Sequence, residues 1–142
     1  MQRNKKVLFV CVENAGRSQM AEAFAKKYGL SALSAGTIPS GKVNQTVVQV
    51  MRELEIDLSS VKPKMLTPQM LQEADLVVTM GCSVEAACPK PMIAQMKKKL
   101  RDWHLDDPKG KSIEEVRRIR DMIELKVRML SEDLIQPSAG TV

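Results

Sequence analysis

The segment Cys11-Val12-Glu13-Asn14-Ala15-Gly16-Arg17-Ser18 constrains this chain more than any other stretch of it. It follows the apolar run Val7-Leu8-Phe9-Val10, which reads as a buried strand, and precedes a stretch with Ala21, Phe24 and Tyr28 at helical spacing. A strand must therefore hand the chain to a helix through a five-residue loop, with a cysteine at the strand's C-terminal end and Arg17-Ser18 where the helix begins. So short a loop curls its backbone N–H groups inward into a nest for an anion. The helix start adds its own free N–H groups and the positive end of its dipole. All eight residues from Cys11 to Ser18 are thus candidate oxyanion ligands. An anion held there touches the sulfur of Cys11, while the Arg17 guanidinium can grip two of its oxygens. A thiol in such a field gives up its proton readily. The plainer reading, a small cysteine packed after an apolar strand, explains the cysteine but not the joint spacing of strand, Cys, Arg-Ser and helix.

The remainder of the chain alternates in the same way. Ser31 to Gly36 reads as a short strand. Residues 43–56 read as a helix with Val47, Val50, Met51 and Leu54 on one face. Thr67-Pro68 opens another helix, Thr as N-cap and Pro at the first helical position. Residues 76–80 form a buried strand that ends at Gly81. The final helix begins at a Ser112/Glu115 capping box and carries Ile113, Val116, Ile119, Ile123, Val127, Leu130 and Leu134 at steps of three and four. This βαβα order implies an α/β sandwich, a parallel sheet between helix layers, with its site at the C-terminal ends of the strands. Residues 1–135 are expected to form one domain and residues 136–142 a loose tail.

Charge and aromatic content narrow the partners. The net charge of +5 suits anionic ligands, including nucleic acid. With Phe9, Phe24, Tyr28 and Trp103 as the whole aromatic complement, platforms for stacking bases are nearly absent, so no nucleic acid is expected. The clusters Lys97-Lys98-Lys99-Arg101 and Arg117-Arg118-Arg120 then read as solvated faces. No apolar run approaches the length of a membrane span and the N-terminus does not resemble a signal peptide, which points to the cytoplasm.

Three further stretches bear on chemistry. Cys82 and Cys88 follow the 76–80 strand at once, on the same sheet edge as Cys11. In a cytosolic chain this suggests redox work rather than a structural disulfide, against the alternatives of small packing residues or a zinc site with His104. In Trp103-His104-Leu105-Asp106-Asp107-Pro108, a carboxylic acid near the Cys11 nest could protonate a departing oxygen, and Pro108 would steady Asp107; the same residues also suit a plain turn. Gly36-Thr37-Ile38-Pro39-Ser40-Gly41-Lys42 copies seven positions of a nucleotide-binding loop. Val43 then stands where a magnesium-binding hydroxyl belongs, so the stretch reads as a connection into the second helix.

Taken together, Cys11-x-x-Asn14-x-x-Arg17-Ser18, Ser34-Ala35-Gly36, Thr79-Met80-Gly81-Cys82, Cys88-Pro89 and Asp107-Pro108 resemble the thioredoxin-coupled arsenate reductases, which share the fold of the low-molecular-weight protein tyrosine phosphatases. The resemblance runs from about residue 7 to 130. It implies a three-layer αβα sandwich around a four-stranded parallel sheet, with Cys11 as nucleophile, Arg17 and the loop amides as oxyanion ligands, and Asp107 as acid. Asn14, Ser18 and Ser34 would support the loop, and Cys82 and Cys88 would carry a thiol–disulfide relay. The implied partners are arsenate, with phosphate or sulfate competing, and thioredoxin or a similar dithiol. The chain is expected to be a monomer, without cofactor and away from membranes. Two departures stand out: Glu13 replaces a common glycine, and Lys64 aligns with an aspartate of a monovalent-cation site whose other members match Asn14, Glu22 and Ser34. The alternative activity is hydrolysis of phosphotyrosine or small phosphate esters, against which the missing aromatic walls and Lys109-Gly110 after Asp107-Pro108 argue.

Overall fold

A computed structural model describes residues 5–80 and 100–135. The anticipated first strand is β1 (Lys6–Cys11), buried from Val7 onward because it lies in the middle of the sheet. It pairs in parallel with β2 (Ser31–Gly36) on one side and with β3 (Leu76–Thr79) on the other. A three-residue strand, β4 (Leu100–Asp102), closes the far edge and gives the order β2-β1-β3-β4. With helices on both faces this is the three-layer αβα sandwich expected, and the four-stranded parallel sheet is present.

The alternation of side chains along β1 builds two cores. Val7, Phe9 and Cys11 face α1 (Arg17–Lys27), α2 (Gln45–Arg52) and the last helix, α4 (Ile113–Ile135). On that face the Phe9 and Trp103 rings meet at 5.9 Å. Leu8 and Val10 face the other way, onto Leu66, Leu71 and Ala74 around α3 (Pro68–Glu73). As a consequence Cys11 ends the strand on the face that α1 covers, directly ahead of that helix's N-terminus.

Two helix boundaries differ from expectation for local reasons. The helix expected over 43–56 is α2, shorter at both ends. Asn44 caps it, its Oδ1 accepting from the N–H groups of Thr46 (2.8 Å) and Val47 (3.4 Å). Beyond Arg52 the chain turns through Glu55 at φ 63°, and the Ile56 N–H returns to the Met51 carbonyl, a helix-ending pattern that needs one left-handed residue. At α4 the Glu115 N–H donates to Ser112 Oγ at 3.3 Å, as a capping box requires. The Glu115 carboxylate meets the Ser112 hydroxyl instead of the Ser112 N–H, so one half of the box forms. Thr67 caps α3 as anticipated, accepting from the Met70 N–H at 3.2 Å. Among the described residues no helix is long and apolar enough to cross a membrane.

Candidate active site

Helix α1 begins without a cap. Gly16 stands at the N-cap position, no side chain bonds to the first turn, and no acidic residue lies in it. Its positive end is therefore left for something outside the helix to satisfy. The loop before it wraps that end. A cavity of about 340 Å³ opens over the loop, with Cys11, Val12, Glu13, Ala15, Gly16 and Arg17 on its floor and Asp107, Pro108 and Lys109 on one wall. Ser40, Lys42, Val43, Asn44 and Gln45 also line it. The stretch that imitates a nucleotide-binding loop is thus a wall of the cavity and the lead into α2.

Cys11 is 4% exposed and its thiol is free. Sγ receives the Asn14 N–H at 3.1 Å and lies 2.9 Å from Ser18 Oγ. Asn14 organises everything behind it. Its Nδ2 donates to Ser18 Oγ (2.8 Å) and to Ser34 Oγ (3.0 Å). Its Oδ1 accepts from Gln19 Nε2 (2.8 Å) and from the Lys64 N–H (2.8 Å). Both amide protons and both carbonyl lone pairs are used, so this fully buried side chain has one orientation. With Asn14 supplying a proton to Ser18 Oγ, the Ser18 hydroxyl proton is free to point at the sulfur, which sets two donors around it. Asn14 adopts φ 53° to do this, a left-handed conformation that Asn tolerates better than most residues. Gly36 makes room: a Cβ there would lie 2.6 Å from the Val12 carbonyl oxygen and 2.9 Å from the Asn14 nitrogen.

The network continues to Glu22. Ser34 Oγ donates to Glu22 Oε1 at 2.5 Å, and Lys26 Nζ donates to Oε2 at 2.6 Å. Lys64 Nζ stands 3.5 Å from Oε1, brought there by a short bridge in which residues 64–66 pair with Gly36. Burial pushes the Glu22 carboxyl upward, but the hydrogen bonds from Lys26 and Ser34 and the two lysine charges outweigh it and hold the group below its ordinary value. Where the resemblance suggested a monovalent cation near Asn14, Glu22 and Ser34, this chain sets an ammonium against the carboxylate.

Arg17 is buried, and Nη1 is fully occupied, donating to the Met80 carbonyl (2.6 Å) and the Leu105 carbonyl (2.8 Å). These two anchors lie just beyond β3 and β4, and they fix the guanidinium; among the described residues its Nη2 and Nε meet no hydrogen-bond acceptor. Nη2 lies 3.7 Å from Asp107 Oδ2. Asp107 Oδ1 in turn accepts from the Lys109 N–H at 3.0 Å. Its neighbour Asp106 lines a different cavity, with His104 and Lys111, so of the two aspartates Asp107 faces the cysteine. Pro108 packs on Gly16 so closely that a Cβ at residue 16 would lie 2.8 Å from Pro108 Cγ. His104 is exposed, 3.3 Å from Asp102, and takes no part in the Cys11 cavity.

Cys82 and Cys88 lie outside the described residues, and so does any zinc site built from them. Among the described residues no cluster of three or more His, Cys, Asp or Glu is arranged to hold a metal. Sequence reasoning passed over Gln19 and the carbonyls of Met80 and Leu105, and took Lys109 only as a departure from the tyrosine phosphatases. Gln19 sits one residue past the motif with no chemistry of its own, and carbonyl contacts carry no residue-type signal.

The model of the low molecular weight phosphotyrosine protein phosphatase family matches residues 6–138. An assigned but unproven arsenate reductase of Halobacterium salinarum is 42% identical over 127 residues, spanning 84% of this chain and 85% of its own. A solved arsenate reductase in its phosphate-binding state is 34% identical, with a TM-score of 0.79 over 92% of this chain and 98% of that one. A low molecular weight protein tyrosine phosphatase from T. tengcongensis is 29% identical, with a TM-score of 0.78 over 92% and 99%.

Proposed function

This chain belongs to the low molecular weight phosphotyrosine protein phosphatase family and is an enzyme of it, and on that premise we propose that it reduces arsenate to arsenite. The observation that carries the first half of the reaction is the convergence of Cys11, Arg17 and Asp107 on one cavity over an uncapped helix N-terminus. An arsenate bound there accepts hydrogen bonds from the loop amides and from Arg17, with its arsenic against Cys11 Sγ. The thiolate attacks arsenic, an As–S bond forms, and an As–O bond breaks as Asp107 protonates the departing oxygen.

The second half separates a reductase from a phosphatase. Cys82 thiolate attacks the sulfur of the Cys11–arsenic adduct. The new S–S bond forms, the As–S bond breaks, and its electron pair stays on arsenic, which leaves as arsenite. Cys88 then attacks the Cys82 sulfur of the Cys11–Cys82 disulfide and frees Cys11. Thioredoxin or a similar dithiol reduces the Cys82–Cys88 disulfide. Phosphorus in a phosphate ester does not accept two electrons in this way, so the two further cysteines have a purpose only with a reducible centre. Relatives named as arsenate reductases, and the absence of aromatic residues among the described residues that line the cavity, support the reading. Hydrolysis of small phosphate esters through the same Cys11, Arg17 and Asp107 is expected as a side activity, and the resemblance to a tyrosine phosphatase supports that.

Peptide mapping after one equivalent of arsenate tests the relay. Cys82 linked to Cys88 with Cys11 free is the expected product, and Cys88→Ala should trap Cys11–Cys82 after a single turnover. Steady thioredoxin-driven turnover by Cys88→Ala would exclude the third thiol from the cycle.

A further inference from the structure

We propose that Glu13 and Lys109 form a clasp that holds the Asp107 loop over the nucleophile loop, which makes both of them positioning residues for the proton transfer. The proposal rests on the reading of Asp107 as the acid. Lys109 touches the site twice. Its backbone N–H donates to Asp107 Oδ1 at 3.0 Å, and its ammonium donates to Glu13 Oε2 at 3.2 Å. Glu13 belongs to the nucleophile loop itself, between Val12 and the fully buried Asn14, and its own carbonyl is pinned by the Ser40 N–H at 3.0 Å. One lysine therefore joins the carboxylate of the acid to the loop that carries Cys11.

Two other joins link the loops: the apolar packing of Pro108 on Gly16, and Arg17, which donates to the Leu105 carbonyl at 2.8 Å and stands 3.7 Å from Asp107 Oδ2. The packing sets how close the loops lie, and Arg17 approaches one carboxylate oxygen, Oδ2, beyond hydrogen-bond distance. The Lys109 N–H holds the other oxygen, Oδ1, at 3.0 Å, and its ammonium ties that contact to Glu13. Charge gives the pair a second effect. Glu13 is the one acidic residue within Cys11–Ser18, and both it and Lys109 line the cavity. With its carboxylate turned onto Lys109, an entering oxyanion meets a neutral pair rather than a bare negative charge. Both side chains are exposed, 71% for Lys109 and 43% for Glu13, so the pair adds little to fold stability and its consequence is kinetic.

Hydrolysis of phenyl phosphate and p-nitrophenyl phosphate, with inorganic phosphate as competing inhibitor, tests this. It requires Cys11, Arg17 and Asp107 but neither Cys82 nor Cys88, so its outcome is separate from that of the reductive steps. Glu13→Gln and Lys109→Ala should each lower kcat about two- to five-fold, the range set by an exposed ion pair. The loss should be larger on phenyl phosphate, whose poorer leaving group depends more on the proton. The double variant should be no slower than the slower single. Phosphate inhibition should move in opposite directions: tighter in Glu13→Gln, which removes a negative charge, and weaker in Lys109→Ala, which uncovers it. The swapped pair Glu13→Lys with Lys109→Glu should recover part of the lost kcat, and about 1 M NaCl, with its ~3 Å screening length, should erase the advantage of the wild type. Unchanged kcat in both singles, additive losses in the double, or phosphate affinity shifting the same way in both singles overturns the clasp while Asp107 keeps its role. An Asp107→Asn control without effect overturns both.

Discussion

The floor and the rim of the Cys11 cavity are built by opposite means, although Glu13 and Asn14 are adjacent residues. At the floor, Asn14, Ser18 and Ser34 are fully buried, and the Asn14 side chain spends every donor and acceptor on protein partners. With no water to replace a lost partner, each bond there is expensive to break. At the rim, Asp107 is 61% exposed and the Arg17 guanidinium stands 3.7 Å from it. Interactions of that kind are screened and contribute little to folding. The floor therefore fixes the shape of the anion nest as part of the fold, while the rim holds the groups that must meet solvent, substrate and protons. Damage at the floor should cost stability and activity together. Damage at the rim should cost activity alone.

The largest effect should come from the rim. Asp107→Asn is expected to slow the first arsenate turnover by roughly 10²–10⁴-fold with the thermal midpoint and phosphate affinity unchanged. If Asp106→Asn proves the damaging change instead, the rim assignment is wrong despite its geometry. Next comes the floor. Asn14→Ala removes the donor to the Ser18 and Ser34 oxygens and the side-chain acceptor of the Gln19 amide and the Lys64 N–H, and puts alanine at φ 53°. A loss of about 2–4 kcal/mol in urea unfolding should accompany the loss of activity. Inactivity with full stability would break the comparison. Gly36→Ala sharpens it, because the atoms nearest the added methyl are the Val12 carbonyl oxygen, the Asn14 nitrogen and the Asn14 Cβ, none of which can rotate away. A cost of about 1–3 kcal/mol is expected, with weakened phosphate binding from a displaced Val12–Asn14 segment.

The smallest effect lies far from the cavity and serves as a reference for rim-like exposure. Glu53 is held by hydrogen bonds from Arg117 and then Arg120, which lower its carboxyl from 4.5 to about 2. A carboxyl depressed in the folded state contributes stability above its unfolded value and loses it as pH falls. The contribution should be complete above about pH 4.5 and decline toward pH 2. Glu53→Gln should flatten the acid side of the stability curve over that window and leave turnover alone. Glu22, also depressed, should add to the same acid loss, but with turnover falling beside it.

How much of this was legible in the sequence followed the chemistry of each part. Central strands were readable because burial on both faces leaves continuous apolar runs, as at Val7 to Val10. The edge strand β4 was not placed, since Leu100, Arg101 and Asp102 are half-buried or exposed and carry no pattern. Cys11, Arg17 and Ser18 were singled out through residue type and spacing, and Asp107 through the Asp107-Pro108 pair that carries the resemblance. The Arg17 anchors were invisible because backbone carbonyls have no letter. Glu13 was seen as an oddity but not paired, because Lys109 is 96 residues away and nothing local announces the contact. For Lys64 the sequence left two readings open, an ammonium in place of a cation or a plain exposed lysine, because only the fold brings its Nζ to 3.5 Å from Glu22 Oε1.

The most direct measurement counts arsenite released per chain with arsenate, thioredoxin, thioredoxin reductase and NADPH, for the wild type and for Cys82→Ser. The wild type should release many equivalents. Cys82→Ser should release none beyond background and still hydrolyse p-nitrophenyl phosphate. Multiple-turnover arsenite from Cys82→Ser, or none from a wild type that hydrolyses the ester, would contradict the account and leave a phosphatase.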